Sequence, residues 1–237
     1  MKNRIWELDA ARGLALLGML IIHFVYDLVD LWGVFSWQEP EWYLFIKNNC
    51  GFVFLVISGI SATLGSGRMG RGGLVFACGL LCTAVTAGMY LLGLADRGII
   101  IWFGALHCLG VCMVLWHWLR RLPSGSLALL GLVLTAAGLV LARMYFDAHW
   151  ALIPLGFCPD GFISSDYFPL LPNLGFFLLG AVLGRTLYRE KRTRFPGVSP
   201  GLPPIRLLRA MGRHSLTIYL LHQPVLAGVT MVINWMI

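Results

Sequence analysis

The run Ala11–Val29, ARGLALLGMLIIHFVYDLV, holds one arginine at its start and a histidine and an aspartate further in, and is otherwise apolar. At about 1.5 Å per helical residue it covers nearly all of a hydrocarbon core roughly 30 Å thick. Six further stretches of similar character follow: Tyr43–Leu64, Leu74–Leu94, Ile99–Leu119, Leu127–Tyr145, Phe168–Tyr188 and Ser215–Trp235. Backbone N–H and C=O groups in lipid must find partners within the protein, so such a series predicts helices. Helix breakers separate the stretches at Gly65-Ser66-Gly67, Ala95–Gly98, Pro123-Ser124-Gly125, Pro154–Pro159 and Pro196–Pro204. The expected fold is an all-α integral membrane protein: a polytopic bundle of about seven transmembrane helices, with residues 1–237 forming one domain.

Composition leads to the same class. Hydrophobic residues make up 58% of the 237 and charged residues 12%, with a mean hydropathy of +0.78. A water-soluble domain carries about 25% charged residues, so most of this surface faces something other than water. The net charge of +7 does not indicate a nucleic-acid partner, because the basic residues sit in short loops rather than on one face. Membrane lipids are the expected surroundings, and a homo-oligomer is compatible with them. Cys78/Cys82 and Cys108/Cys112 fall four residues apart inside apolar stretches, where thiols act as small hydrophobes. Neither a disulfide framework nor a metal site is expected. The N-terminal Lys2 and Arg4 resemble the start of a signal peptide, but Asp9, Arg12 and Asp27 interrupt the pattern, and the segment reads as a retained first span.

Orientation follows from the basic residues. With a cytoplasmic N-terminus, only Lys47, Arg97 and Arg143 of the 18 lysines and arginines fall on the outer side, as the positive-inside rule requires. Seven crossings then place the C-terminus outside. The outer connectors carry Glu39, Glu41, Asp96, Asp147, Asp160 and Asp166.

Ionisable groups within spans are costly and mark function by default. His23 lies about 16 Å beyond Arg12, and His222 about 14 Å beyond Arg213, at the helical rise per residue. His107 enters from the other side to about 12 Å. Three histidines from three helices therefore reach similar depth, which predicts a polar centre in mid-membrane. Asp27 follows His23 by one helical turn and Asp30 shares that face. A carboxylate so placed can fix an imidazole's tautomer and raise its basicity, which suits a general base or nucleophile. At the inner edge, Arg12, Arg213 and His214 can hold the oxygens of a phosphate-bearing donor; the competing reading is contact with lipid headgroups.

Several of these residues belong to longer patterns. Glu7-Leu-Asp9-Ala-Ala-Arg12-Gly13 with His23, and Phe52-Val-Phe54-Leu-Val-Ile-Ser58-Gly59, resemble the opening helices of transmembrane acyltransferases. Phe103-Gly-Ala-Leu-His107-Cys-Leu-Gly110, Asp166-Tyr-Phe-Pro-Leu-Leu-Pro172 and Gly212-Arg-His-Ser-Leu-Thr-Ile-Tyr-Leu-Leu-His222-Gln-Pro224 narrow the resemblance. With them the chain resembles bacterial relatives of the heparan-α-glucosaminide N-acetyltransferase catalytic domain, from Arg4 to Pro224. The resemblance implies a bacterial inner-membrane enzyme that moves acetyl from cytoplasmic acetyl-CoA to an acceptor, an amino sugar or glycan, on the outer side. By position it casts His23 as the base or transient acetyl carrier, with Asp27 orienting it. It places Arg12, Arg213 and His214 at the donor, and His107, Asp166 and His222 on the acceptor side. The lysosomal enzyme's catalytic histidine lies beyond its first helix, whereas this chain has no histidine between Leu31 and Tyr43. Two other readings use the same residues: a small transporter or proton-coupled carrier with a His23/Asp27 centre, and a non-catalytic membrane scaffold.

Overall fold

A computed structural model describes residues 4–65, 67, 69–144 and 148–236. Lys2, Ser66, Arg68, Tyr145 and Asp147, which entered the reading of connectors, charge and span ends, lie outside the described residues. The helices are α1 (Trp6–Tyr26), continued by a π-helical turn (Asp27–Leu31), α2 (Glu41–Leu64), α3 (Met69–Leu91), α4 (Ala105–Leu119), α5 (Ser124–Leu141), α6 (Leu170–Leu187), α7 (Pro203–Arg213) and α8 (Ser215–Met236). Short 3-10 turns cover Arg97–Ile99 and Trp150–Leu155. Among the described residues, extended pairing is limited to one isolated bridge, Phe103 with Tyr167. All but α4 and α7 are long and apolar enough to cross a membrane. The protein is a polytopic helical membrane protein.

The chain divides into two compact units, Met1–Phe54 with Lys191–Ile237, and Leu55–Glu190. In the first, α1 and its π-helical continuation meet α8 through ordered pairs: His23 with His222, Asp27 with Gln223 and Trp32 with Thr230, while Asp9 meets Arg213 at the end of α7. Residue numbers rise together on both helices, so α1 and α8 are parallel. The early part of α2 runs the other way, since Cys50 donates to the Ala15 carbonyl and Tyr43 to that of Ile22. Helix α7 lies across the first turns of α1. Gly13 abuts the Leu208 backbone and Gly212 abuts the Asp9 backbone so closely that a side chain at either glycine would collide with a carbonyl. Small residues at such crossings let backbones approach, which supplies much of the packing between helices in lipid.

In the second unit, Val56 and Ile60 of α2 face Gly180 and Gly184 of α6. The Cys108 and Trp116 side chains of α4 meet Pro169 and Phe177 in or just before α6. These three helices are parallel. Helix α3 opposes α4, with Gly72 beside Val114 and Gly79 beside His107, and α5 opposes α6, with Gly131 beside Leu179 and Gly138 beside Pro172. Within each unit the directions are those that seven alternating crossings require.

The fourth expected span differs from its expected form, and six helices rather than seven are long and apolar enough to cross a membrane among the described residues. The stretch Ile99–Leu119 becomes a helix only from Ala105, about 22 Å at the standard rise. The preceding backbone is irregular, which membrane depth tolerates only where the protein itself satisfies it. Here it does. Thr83 donates to the Ile101 carbonyl at 2.6 Å and Thr86 accepts from the Ile101 amide at 3.1 Å. Ser164 donates to the Ile100 carbonyl at 2.9 Å, and the Phe168 amide donates to the Phe103 carbonyl at 2.9 Å.

Candidate functional site

The buried charges of α1 begin at Glu7 and Asp9. Glu7 accepts hydrogen bonds from the Thr193 hydroxyl at 2.9 Å and the Arg194 amide at 2.8 Å, tying the segment before α7 to the start of α1. Asp9 is ringed by three guanidinium groups: Arg12 at 3.1 Å, Arg213 at 3.7 Å and Arg4 at 3.8 Å. Three guanidinium groups thus converge on one carboxylate where α1, α7 and the start of α8 meet. Arg12 is 17% exposed, against 41% for Arg213 and 59% for Arg4. Of the predicted donor residues, Arg12 and Arg213 thus share one carboxylate, and the exposed His214 sits between α7 and α8. Arg4 and Asp9 complete the cluster without having been singled out for it. The Arg189–Arg213 segment reads in sequence as a basic, Pro-rich connector, yet it contains α7. Its signal was the pair Pro203-Pro204 opening a helical repeat of apolar residues at Ile205, Leu208 and Met211.

Further along α1 and α8, the rings of His23 and His222 lie 4.8 Å apart between centroids, with planes inclined at 58°. Two of the three histidines placed at similar depth from sequence, His23 and His222, are therefore neighbours. His222 Nδ1 faces the Tyr219 carbonyl, one turn back on its own helix, at 2.5 Å. A carbonyl only accepts, so Nδ1 carries the proton and Nε2 holds the lone pair. That Nε2 is buried and has no hydrogen-bond partner among the described residues.

Asp27, fully buried, begins the π-helical turn. Such turns concentrate at functional sites. Its Oδ1 accepts from Gln223 Nε2 at 2.8 Å, whereas no hydrogen bond joins it to His23 among the described residues. The partner of Asp27 is thus on α8, not one turn back on α1. Asp27 Oδ2 and Gln223 Oε1 are buried without partners among the described residues. Two turns along α8, Thr230 accepts from Trp32 Nε1 at 3.0 Å. Gln223, Trp32 and Thr230 were missed as site residues. The available signal was the cost of an amide beside a histidine in an apolar helix.

The second unit holds His107 and Asp166, and both serve the start of α4. His107 Nδ1 accepts from the Gly104 amide at 3.2 Å. Its Nε2 lies 3.3 Å from the Thr83 hydroxyl, whose proton is given to the Ile101 carbonyl. Both contacts require the same neutral tautomer, with hydrogen on Nε2. Phe76 and Phe103 flank the ring, each with centroids 5.5 Å away. Asp166 Oδ2 accepts from the Ala105 amide at 3.0 Å, supplying a carboxylate cap to a helix N-terminus. Helix termini leave four amides without internal partners, and these two residues satisfy two amides at this end. Beside this corner, a cavity of about 440 Å³ is lined in part by Gly138, Leu155, Cys158, Phe162, Tyr167 and Pro172. Tyr167 donates to the Ile153 carbonyl at 2.8 Å and accepts from the Cys158 thiol at 3.2 Å. Burial, then the neighbouring Cys158, pushes the phenol well above its ordinary range.

Compared with known proteins, residues 4–224 match the family model described as heparan-alpha-glucosaminide N-acetyltransferase, catalytic. No curated protein and no solved structure matches the chain.

Proposed function

Because the chain belongs to the heparan-α-glucosaminide N-acetyltransferase catalytic family, we propose that this membrane protein moves acetyl from cytoplasmic acetyl-CoA to an amino sugar or glycan on the outer side of a bacterial inner membrane. The observation that carries this reading is the adjacent His23–His222 pair, set along two parallel helices from a cluster of three arginines. In this reading the N-terminus is cytoplasmic and the arginine cluster lies at the inner edge. Arg4, Arg12 and Arg213 attract the phosphates of the donor, with His214 at the same rim. Arginine binds phosphate through paired charge-assisted hydrogen bonds, and its charge persists at every working pH. The thin acyl-bearing arm then reaches inward along α1 and α8, roughly 16 Å from Arg12 to the level of His23.

At that level an imidazole takes the proton of the attacking amine as its nitrogen bonds to the acetyl carbon. The carbon–sulfur bond breaks, and the departing thiolate recovers the proton as free CoA. His23 has no hydrogen bond among the described residues, and His222 presents a bare Nε2; either ring can accept the proton directly. Asp27 acts here through α8, which it binds, and His107 and Asp166 shape the acceptor side through the corner they hold.

The test is acetyl-CoA binding to purified protein in nanodiscs, wild type beside Arg213→Ala and His23→Ala. Loss of one charge-assisted phosphate contact weakens binding about tenfold or more, while His23→Ala binds as wild type. No binding to the wild-type protein at saturating acetyl-CoA overturns the acyltransferase reading.

A further inference from the structure

We infer that Gln223 is a positioning residue: through Asp27 it clasps α8 to the π-helical turn of α1 and so sets the spacing of the His23–His222 pair. The inference concerns the site described under the proposed function, but its test does not depend on that reaction.

Four observations combine. Gln223 follows His222 directly, and its amide donates to Asp27 Oδ1 at 2.8 Å. Asp27 opens the π-helical turn, where the Trp32 amide donates to the Asp27 carbonyl five residues back at 3.0 Å. That wider turn puts Trp32 in reach of Thr230, which it meets at 3.0 Å. Gln223 and Thr230 are a heptad apart on α8, so both clasps lie on nearly the same face of that helix. Gln223 is next to His222 in the chain and Asp27 is one helical turn beyond His23, so the Gln223 clasp bears directly on the register of the histidine pair.

An apolar contact cannot do this work. Side chains in lipid gain little by leaving it for another apolar surface, and polar pairs between helices fix their relative rotation. The clasp also leaves two buried oxygens, Asp27 Oδ2 and Gln223 Oε1, without partners among the described residues. Buried acceptors are normally matched. Two unmatched ones beside an unmatched imidazole Nε2 suit a ligand that brings N–H or O–H donors, and disfavour one that brings only acceptors.

The experiment reads the histidines themselves. Diethylpyrocarbonate labelling of His23 and His222 is followed by mass spectrometry in the wild type, Gln223→Leu, Gln223→Glu, Asp27→Asn and the exchanged pair Asp27→Asn/Gln223→Glu, all in nanodiscs. Loss of the clasp opens the pair and speeds labelling about fivefold or more in Gln223→Leu, the factor expected when a buried hydrogen bond is lost. The exchanged pair restores an amide-to-carboxylate bond with its polarity reversed, and labelling returns towards the wild-type rate. A purely global loss of stability would instead speed labelling of the buried His107 as well, and the exchange would not repair it. Unchanged labelling in Gln223→Leu overturns the inference, as does an exchanged pair no slower than its two parents. If Gln223→Leu does not fold, the exchange series decides alone. Acetyl-CoA binding measured on the same samples separates the two ideas: altered labelling in a protein that never binds acetyl-CoA keeps the clasp and sinks the acyltransferase reading.

Discussion

His222 and His107 are both imidazoles on apolar helices, and their ring nitrogens are used differently. His107 has both nitrogens occupied, one by the Gly104 amide and one by Thr83. His222 has one occupied by the Tyr219 carbonyl and leaves the other buried and unmatched among the described residues, with His23 beside it. The aspartates repeat the contrast. Asp166 caps α4, while Asp27 spends one oxygen on Gln223 and keeps the other without a partner among the described residues. A buried polar group that is fully matched holds structure together; one held in place yet left unmatched has capacity for a ligand or a proton. The cost of an ionisable residue in a membrane helix therefore does not by itself mean chemistry. The remaining partners of its polar atoms decide.

The comparison breaks most readily at the histidines. His23→Ala is expected to lower acetyl transfer by about two to four orders of magnitude, the usual contribution of a positioned base, with acetyl-CoA affinity and thermal stability close to wild type. Turnover that survives at the wild-type rate would remove His23 from the reaction and shift the role of base to His222. His107→Ala should show the converse pattern. Leaving the Gly104 amide buried and unpaired costs about 1–3 kcal/mol, seen as a lower unfolding midpoint in detergent, while folded protein retains its turnover. A rise in acceptor KM at unchanged stability would instead put His107 in contact with the acceptor.

The smallest effect concerns Tyr167, whose neutral phenol is held by its bond to Ile153. The folded state keeps this proton more tightly than the unfolded chain, so stability is full below the ordinary phenol pKa of about 10 and falls as pH rises beyond it. Chemical denaturation followed across the alkaline range should show this decline in the wild type and a shallower one in Tyr167→Phe. Equal slopes would show that the phenol contributes nothing to the alkaline dependence.

Much of the fold was legible because lipid simplifies the rules. With no water to satisfy the backbone, any long uncharged apolar stretch must be helical, and the alternation of crossings follows from their number. Depth was legible too, since a helix advances by a fixed rise, and counting from Arg12 and Arg213 brought His23 and His222 to one level. The sequence motifs from Arg4 to Pro224 also pointed to the family that the match over residues 4–224 shows.

Other features depended on partners far away in the chain. The first residues of the Ile99–Leu119 stretch are as apolar as a helix needs, yet they are extended because Thr83, Thr86, Ser164 and the Phe168 amide satisfy their backbone. Asp27 and His23 have helical spacing that predicts a pair, and the carboxylate turns instead to Gln223, 196 positions on. Arg12 and Arg213 were each visible as inner-edge cations, but only folding brings both to Asp9. Sequence by itself determined which segments are apolar helices and how far along its helix each polar group lies, because both are set by solvent and by distance along one helix. Tertiary structure alone decided which of those groups are matched, because a hydrogen bond needs two atoms within about 3 Å and most of the deciding partners lie tens to hundreds of residues apart.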